Sequence, residues 1–329
     1  VVGVDGAVTG QLLRRLATML LTVWLVATLT FVVVQAVPGS YADAIDHPRM
    51  TPTMRDAVRA RWGLDRPVHE QYLRWLGAIV SGDLGVSYVT RQPVTETLAR
   101  ALPPTLLLAG TALVLDLVLG LILAVAAARR PHGRLDRALT VFGLGLYGLP
   151  SFWVAGLVVL VFAVGLGWFP PSHMYSIGAE RLGATARVAD LVHHLVLPAC
   201  CLGFVGAAGT ARYLRASLLD LRGARFLTAL RARGVPERRI AWIHALRPAL
   251  APVVTLLGLS LPFLVGGSVV IETIFSWPGM GSVLLTAAQA RDVPVIMAIT
   301  VIGAVGVVVG NLVADLAYAA VDPRARDES

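Results

Sequence analysis

The stretch PTLLLAGTALVLDLVLGLILAVAAA, residues 104–128, decides the class of fold. Its single charged group is Asp116. About 20 apolar residues in a helix cross the ~30 Å hydrocarbon core of a bilayer. Inside lipid every backbone polar group must be paired within the segment, so such a run is a helix. Working outward, similar runs cover residues 16–37, 138–169, 191–211, 248–271 and 293–318. The first is too long for a signal-peptide core, and Ala36-Val37-Pro38 is a poor cleavage site, so it reads as a span. The third is long enough to need a tilt or bend, and Pro150 offers a kink. The expectation is an all-α membrane protein with six transmembrane helices.

Composition agrees. Of 329 residues, 56% are apolar and 15% charged, against roughly 25% charged in soluble domains. All basic residues are arginine. Without lysine there is no P-loop lysine for ATP phosphates and no lysine Schiff base, so any ATP chemistry belongs to another chain. The arginines flank apolar runs, which points to membrane orientation rather than nucleic acid. Residues 1–15, 129–137, 212–247 and the tail 321–329 hold 17 of the 28 arginines. Eight of the other 11 lie in residues 38–102, a long segment of the kind that weighs little in orientation. Both termini are therefore expected in the cytoplasm. Residues 38–102 become a small extracytoplasmic domain, with Trp62, Tyr72, Trp75 and Leu76 for its core. Residues 103–320 form the five-span remainder.

Several features carry competing readings. Gly143, Gly145 and Gly148 match a dinucleotide-binding pattern, but they sit within an apolar run and no ribose-binding acid follows, so helix packing is expected. Gly203, Gly206, Gly209, Gly306 and Gly310 read the same way. The neighbours Cys200 and Cys201 cannot supply a metal's four ligands. His193 and His194 read as interfacial histidines rather than ligands. Asp116 stands near mid-bilayer, where an ionisable group is costly and faces a bundle interior or wet cavity. It is a candidate path-lining residue or a structural partner. Asp315 is expected to reach the interface or an arginine. Neither aspartate carries the motifs of intramembrane aspartyl proteases.

Residues 212–247 are the most informative loop. Leu218, Leu219, Phe226, Leu227 and Leu230 have helical spacing. Arg231-Ala232-Arg233, then Gly234 and Pro236, spell a helix stop. Ile240, Trp242, Ile243 and Leu246 mark a second helix. This hairpin could lie on lipid headgroups or dock a soluble partner.

The loop resembles the EAA loop of binding-protein-dependent ABC importer permeases, specifically the oligopeptide/dipeptide/nickel branch. Gly234 stands at that motif's glycine, six residues after its first position, and places Thr228-Ala229-Leu230 at the namesake positions. The alanine is kept and the flanking two depart. His244-Ala245-Leu246-Arg247 and Pro252 resemble the branch's continuation. Leu12 to Gly39 resembles its first span and Pro-Gly exit, and Gly63-Leu64-Asp65-Arg66-Pro67, Gln71-Tyr72, Trp75-Leu76, Gly82-Asp83-Leu84-Gly85 and Pro93-Val94 resemble its outer domain. Pro150-Ser151-Phe152 resembles its third-span bend. Glu272-Thr273, Phe275, Trp277-Pro278-Gly279 and Gly281 resemble the loop after span five. Asn311, Asp315 and Asp322-Pro323-Arg324 resemble its end.

The resemblance implies a type I ABC importer-like permease in a bacterial plasma membrane, with membrane lipid around it and no catalytic chemistry, metal or cofactor of its own. It implies a second homologous permease subunit, two cytoplasmic ATPase subunits that hold ATP and Mg, and an extracytoplasmic substrate-binding lipoprotein. Thr228, Ala229, Leu230, Arg231, Arg233 and Gly234 would couple to the ATPase, with Arg231 and Arg233 meeting acidic or carbonyl groups across the contact. Short peptides are the expected cargo; nickel or another small cargo is the alternative. From the residues alone, a stand-alone secondary transporter or channel and a membrane enzyme remain as other classes. No nucleic acid is expected.

Overall fold

The computed structural model describes residues 4–37, 51–250, 253 and 268–321. The chain is an all-α, multi-pass membrane helical bundle. Among the described residues, four helices are long and apolar enough to cross a membrane, within Arg14–Ala36, Val94–Arg129, Ala184–Gly223 and Val293–Ala314. Most of the expected fifth run, residues 251–252 and 254–267, lies outside the described residues, as do residues 38–50, the tail from 322 and the side chain of Asp315.

Two compact units divide the chain. The first joins residues 1–103 to 282–308. In it, α1 (Val4–Ala36) is followed by α2 (Pro52–Trp62) and α3 (Val68–Val80). Thr51 caps α2 by accepting the Met54 N–H, Pro52 sits where its missing N–H costs nothing, and Gly63, at φ +66°, ends the helix. One aromatic face docks α3 on α1. Phe31 meets Tyr72 edge-on at 5.2 Å and stacks on Trp75 at 5.7 Å. Thr28 Oγ1 and Tyr72 Oη lie 2.8 Å apart. Of the residues expected to form a small core here, Tyr72 and Trp75 lie on the first helix, and Trp62 lies against Tyr88.

Asp292 fastens the next loop. Ser87 Oγ donates to its Oδ2 at 2.5 Å and the Tyr88 N–H to its Oδ1 at 3.0 Å. Burial, then the Asp292 charge, pushes the Tyr88 phenol up to about 12. A single antiparallel bridge, Val86 to Pro93, is the strand-like pairing among the described residues.

The second unit joins residues 104–281 to 309–329. The helix that leads into it, α4 (Val94–Arg129), is about 54 Å long at 1.5 Å per residue. α5 (Arg134–Gly148) and α6 (Ser151–Val158, continuing as a wider π turn over Val159–Gly165) divide the third apolar run. Leu149 is extended, at ψ 135°. Proline disfavours helical backbone in the residue before it, so the expected kink at Pro150 is a full break. α7 (Ala184–Asp220) follows.

α4 and α7 touch through their smallest residues. A Cβ on Gly203 would stand 2.8 Å from Leu115 Cβ and 3.0 Å from the Ala112 carbonyl oxygen. One on Gly206 would stand 2.5 Å from Asp116 Oδ2, and one on Gly120 would strike Thr210. Close packing, read in the sequence for Gly203 and Gly206, is therefore present. Gly143 lies against Ala208, but Gly145 and Gly148 face open space. No strand precedes this glycine pattern among the described residues.

Gly206→Ala should therefore lower the melting temperature in detergent, with an overpacking cost of about 1–3 kcal/mol. Asp116→Ala in the same background removes the carboxylate and should recover part of the loss. Equal destabilisation with and without Asp116 would show that this contact does not set the helix spacing.

Candidate functional site

The loop after α7 forms the hairpin that the sequence led us to expect. A short 3-10 turn, Leu221–Gly223, leads into α8 (Arg225–Ala232). Gly234 then takes φ +76°, and its N–H and that of Val235 bond back to the carbonyls of Arg231 and Leu230 at 2.9 and 3.1 Å. Its conformation is left-handed, so a side chain there is strained although the space around it is open. Pro236 precedes α9 (Glu237–Arg239), which runs on as a π turn through Ile240–Ala245.

The hairpin has a buried keel and an exposed tip. Leu227 and Ile240 are each 2% exposed. They pack with Val125 and Ala128 of α4 and with Leu214 and Leu218 of α7. Burying one such side chain is worth about 1.5–3 kcal/mol. The keel thus makes the hairpin part of the same body as the ends of α4 and α7.

The candidate residues divide between these surfaces. Leu230 is half-buried against the keel, while Thr228, Ala229, Arg231, Arg233 and Gly234 are exposed. Arg231 is engaged inside the hairpin: its Nε donates to Glu237 Oε1 at 2.7 Å, and Nη1 to the Arg222 carbonyl at 3.4 Å. Arg222 donates to the carbonyls of Ala128 and Arg129, at 2.9 and 3.2 Å, capping the C-terminus of α4. Arg233 makes no ion pair among the described residues. The tip is a basic surface with a small central residue, Ala229.

Asp116 is remote from this tip in sequence and lies against Gly206, facing Thr210. Its Oδ1 is buried without a hydrogen-bond partner among the described residues. His193 and His194 do not converge on a metal. His193 Nε2 lies 2.8 Å from the Trp168 carbonyl, and His194 Nδ1 2.9 Å from that of Asp190. No metal-ligating cluster forms among the described residues.

Beside Asp292, sequence reasoning gave no partners to two further buried carboxylates. Glu272, fully buried in α10 (Val269–Ile274), accepts from Thr105 Oγ1 at 2.8 Å and Ser268 Oγ at 2.9 Å. A Cβ at Gly279 would stand 2.4 Å from its carboxyl carbon, and one at Gly281 2.8 Å from its Oε2. Trp277 Nε1 donates to the Pro104 carbonyl at 2.9 Å. The acid, tryptophan and glycines near residue 275 thus form one anchor on α4; their crowding in an apolar stretch was the available signal.

The second is Asp136, at the start of α5. It accepts the His132 N–H at 2.7 Å and Arg215 Nη2 at 2.6 Å, with Arg215 Nε against its other oxygen. The Arg215 hydrogen bond, with the His132 N–H behind it, holds this carboxyl below the usual range against the opposing effect of burial. It fixes the α4–α5 loop to α7, close in sequence to the hairpin.

Two family models match the chain. "Binding-protein-dependent transport system inner membrane component" covers residues 116–327. "Binding-prot-dependent transport system membrane comp, N-term" covers residues 9–109. The chain is 41% identical over 300 residues to the oligopeptide transport system permease protein AppB of Bacillus subtilis, spanning 91% of this chain and 93% of that protein. It is 40% identical over 299 residues to a putative peptide permease protein of Brucella suis, spanning 90% and 92%. It is 36% identical over 317 residues to the glutathione transport system permease protein GsiC of Salmonella paratyphi A, spanning 95% and 98%.

The Asp136–Arg215 link makes a pH prediction. A carboxyl with a depressed folded pKa contributes stability that is present above its unfolded value, about 3.9, and is lost as pH falls through the folded value. Hydrogen-exchange protection around residues 130–137 should therefore persist to about pH 4 and fail below it. Asp136→Asn should reproduce the loss at pH 7, at about 2 kcal/mol. Unchanged protection in Asp136→Asn would remove the link from the account.

Proposed function

We propose that this chain, which belongs to the family of binding-protein-dependent transport system inner membrane components, carries short peptides across the membrane as half of a paired translocation path. The chain is a permease subunit of a peptide-type ABC importer and performs no catalysis itself. Family membership implies the usual partners: a second permease, ATPase subunits and a substrate-binding protein. The peptide cargo is supported by relatives named as oligopeptide and peptide permeases.

The observation that carries the mechanism is the exposed hairpin tip on a keel shared with α4 and α7. In this reading the tip, residues 228–236, enters a groove on an ATPase subunit. Ala229 allows close approach, Gly234 sets the turn, and Arg233 meets an acidic or carbonyl group across the contact. Arg231, paired with Glu237, holds the hairpin's shape. Closure of the ATPase pair on ATP moves the tips. Because the keel cannot deform without opening cavities, α4 and α7 follow, and the path changes the side it faces. Coupling is then the differential binding of partners to two conformations of one body.

In the same reading the chain has six spans. The α5–α6 pair is the third, and the run over residues 248–271 is the fifth. The segment 38–102 lies outside the cell, and both termini and the hairpin lie inside, in a bacterial plasma membrane. Asp116 stands where the α4–α7 contact meets the path.

In the assembled importer, Gly234→Val and Ala229→Glu should leave membrane insertion normal, because neither residue lies in a span. Both should lower substrate-stimulated ATPase activity and peptide uptake together, about tenfold or more for a turn strained by 1–2 kcal/mol at a tight contact. Full coupled activity in both variants would sink the coupling role of this hairpin. In the same assay, reduced uptake by Asp116→Asn with normal assembly supports a path-facing acid, and normal uptake removes that role.

Orientation is read with single cysteines at Ser81, which is exposed in the outer segment, and at Ser329, in a background lacking Cys200 and Cys201. In intact cells an impermeant thiol reagent should label the first and spare the second. The reverse pattern would invert the topology.

A further inference from the structure

The unit formed by residues 1–103 and 282–308 holds an open cavity of about 460 Å³ that the coupling mechanism does not use. Four aromatic residues, Phe31, Trp62, Trp75 and Tyr88, contribute to its lining. The Phe31–Trp75 stack presents a broad apolar face, and Trp62 leans on Tyr88 at 4.7 Å.

The polar groups in this lining favour an anion. Arg74 lines the cavity and makes no ion pair or hydrogen bond among the described residues. Arg66, also in the lining, has only a 3.9 Å contact with Glu70. The first turn of α11 (Val293–Val321) reaches the cavity through Val293 and Pro294, and a helix N-terminus carries partial positive charge. Asp83 is the acid in the lining, and its Oδ1 already accepts the Gly85 N–H at 2.8 Å. The Tyr88 phenol, raised to about 12, stays protonated and does not repel an anion.

We infer that this cavity binds the C-terminal residue of a peptide whose last side chain is aromatic or large and aliphatic. The carboxylate meets Arg74, and the side chain lies on the Phe31–Trp75 face. A carboxylate beside an apolar group answers the chemistry of the lining: a guanidinium with no partner among the described residues, and aromatic rings beside it. The site rests on the peptide reading of the cargo and is independent of the hairpin. It would hold peptide on the outer segment.

The test uses the full chain in neutral detergent and two probes, N-acetyl-phenylalanine and its amide, with binding read by saturation-transfer NMR titration. The acid should bind saturably and the amide at least about tenfold more weakly, since the charge-assisted bonds are lost. Arg74→Gln, at an exposed residue whose loss leaves the fold intact, should weaken the acid to the level of the amide. Absence of saturable binding, equal binding of acid and amide, or binding insensitive to Arg74→Gln would overturn the inference. Displacement of the acid by an equal concentration of phosphatidylglycerol would overturn it in favour of a lipid site. The two readings fail differently. Without this site, the assembled importer still takes up peptides; without a peptide cargo, uptake is absent whatever the chain binds here.

Discussion

Helices α4 and α7 approach until the backbone of one meets the side-chain roots of the other. Gly203 lies against Leu115 and the Ala112 carbonyl, Gly206 against Asp116, and Gly120 against Thr210. In a bilayer no hydrophobic force draws helices together, so close contact through small residues supplies the association. Other features of this unit follow from that contact. It brings the ends of α4 and α7 near enough for Leu227 and Ile240 to bury against both. It also lets Arg222 reach the last carbonyls of α4 and Arg215 reach Asp136. A wider spacing would leave the hairpin without a keel and these charges without partners.

Carboxylates organise the ends of the bundle. Glu272 is satisfied by two hydroxyls within a glycine cradle, Asp292 by a serine and backbone N–H groups, and Asp136 by an arginine and a backbone N–H. Each fixes a loop to a helix far away in sequence. A buried carboxylate is costly unless it is hydrogen-bonded, so each of these three sites specifies one loop geometry and penalises others. Apolar packing along the spans lacks that selectivity, because one leucine ridge resembles the next. The polar minority of an apolar chain thus carries much of its specificity.

The hairpin separates two duties along fourteen residues, Leu227 to Ile240. Leu227, Leu230 and Ile240 face the keel, while Thr228, Ala229 and Arg233 face outward. The Arg-Gly-Val-Pro sequence located the turn that Gly234 makes at φ +76°, while helical spacing gave the apolar positions without telling buried Leu227 and Ile240 from exposed Phe226 and Ile243. Periodicity did not say that Arg231 would bond to Glu237 rather than stay available. That choice depends on how the turn folds α9 back along α8.

From the sequence alone came the all-α membrane class, the apolar runs, the small-residue contacts at Gly203 and Gly206, and the hairpin with its left-handed glycine. These depend on local rules: run length against bilayer thickness, backbone pairing in lipid, and the steric demands of glycine and proline. The break at Leu149–Pro150 was legible only as a kink, because a proline shows where a helix is weakened and not how far its neighbours let it turn. The partners of Asp116, Asp136, Glu272 and Asp292 were decided by tertiary structure. Their contacts bridge 79 to 205 residues of sequence for the last three, and no local pattern encodes which distant hydroxyl, arginine or glycine will meet a given carboxylate. That is settled only when the helices pack and each buried charge must find its partner.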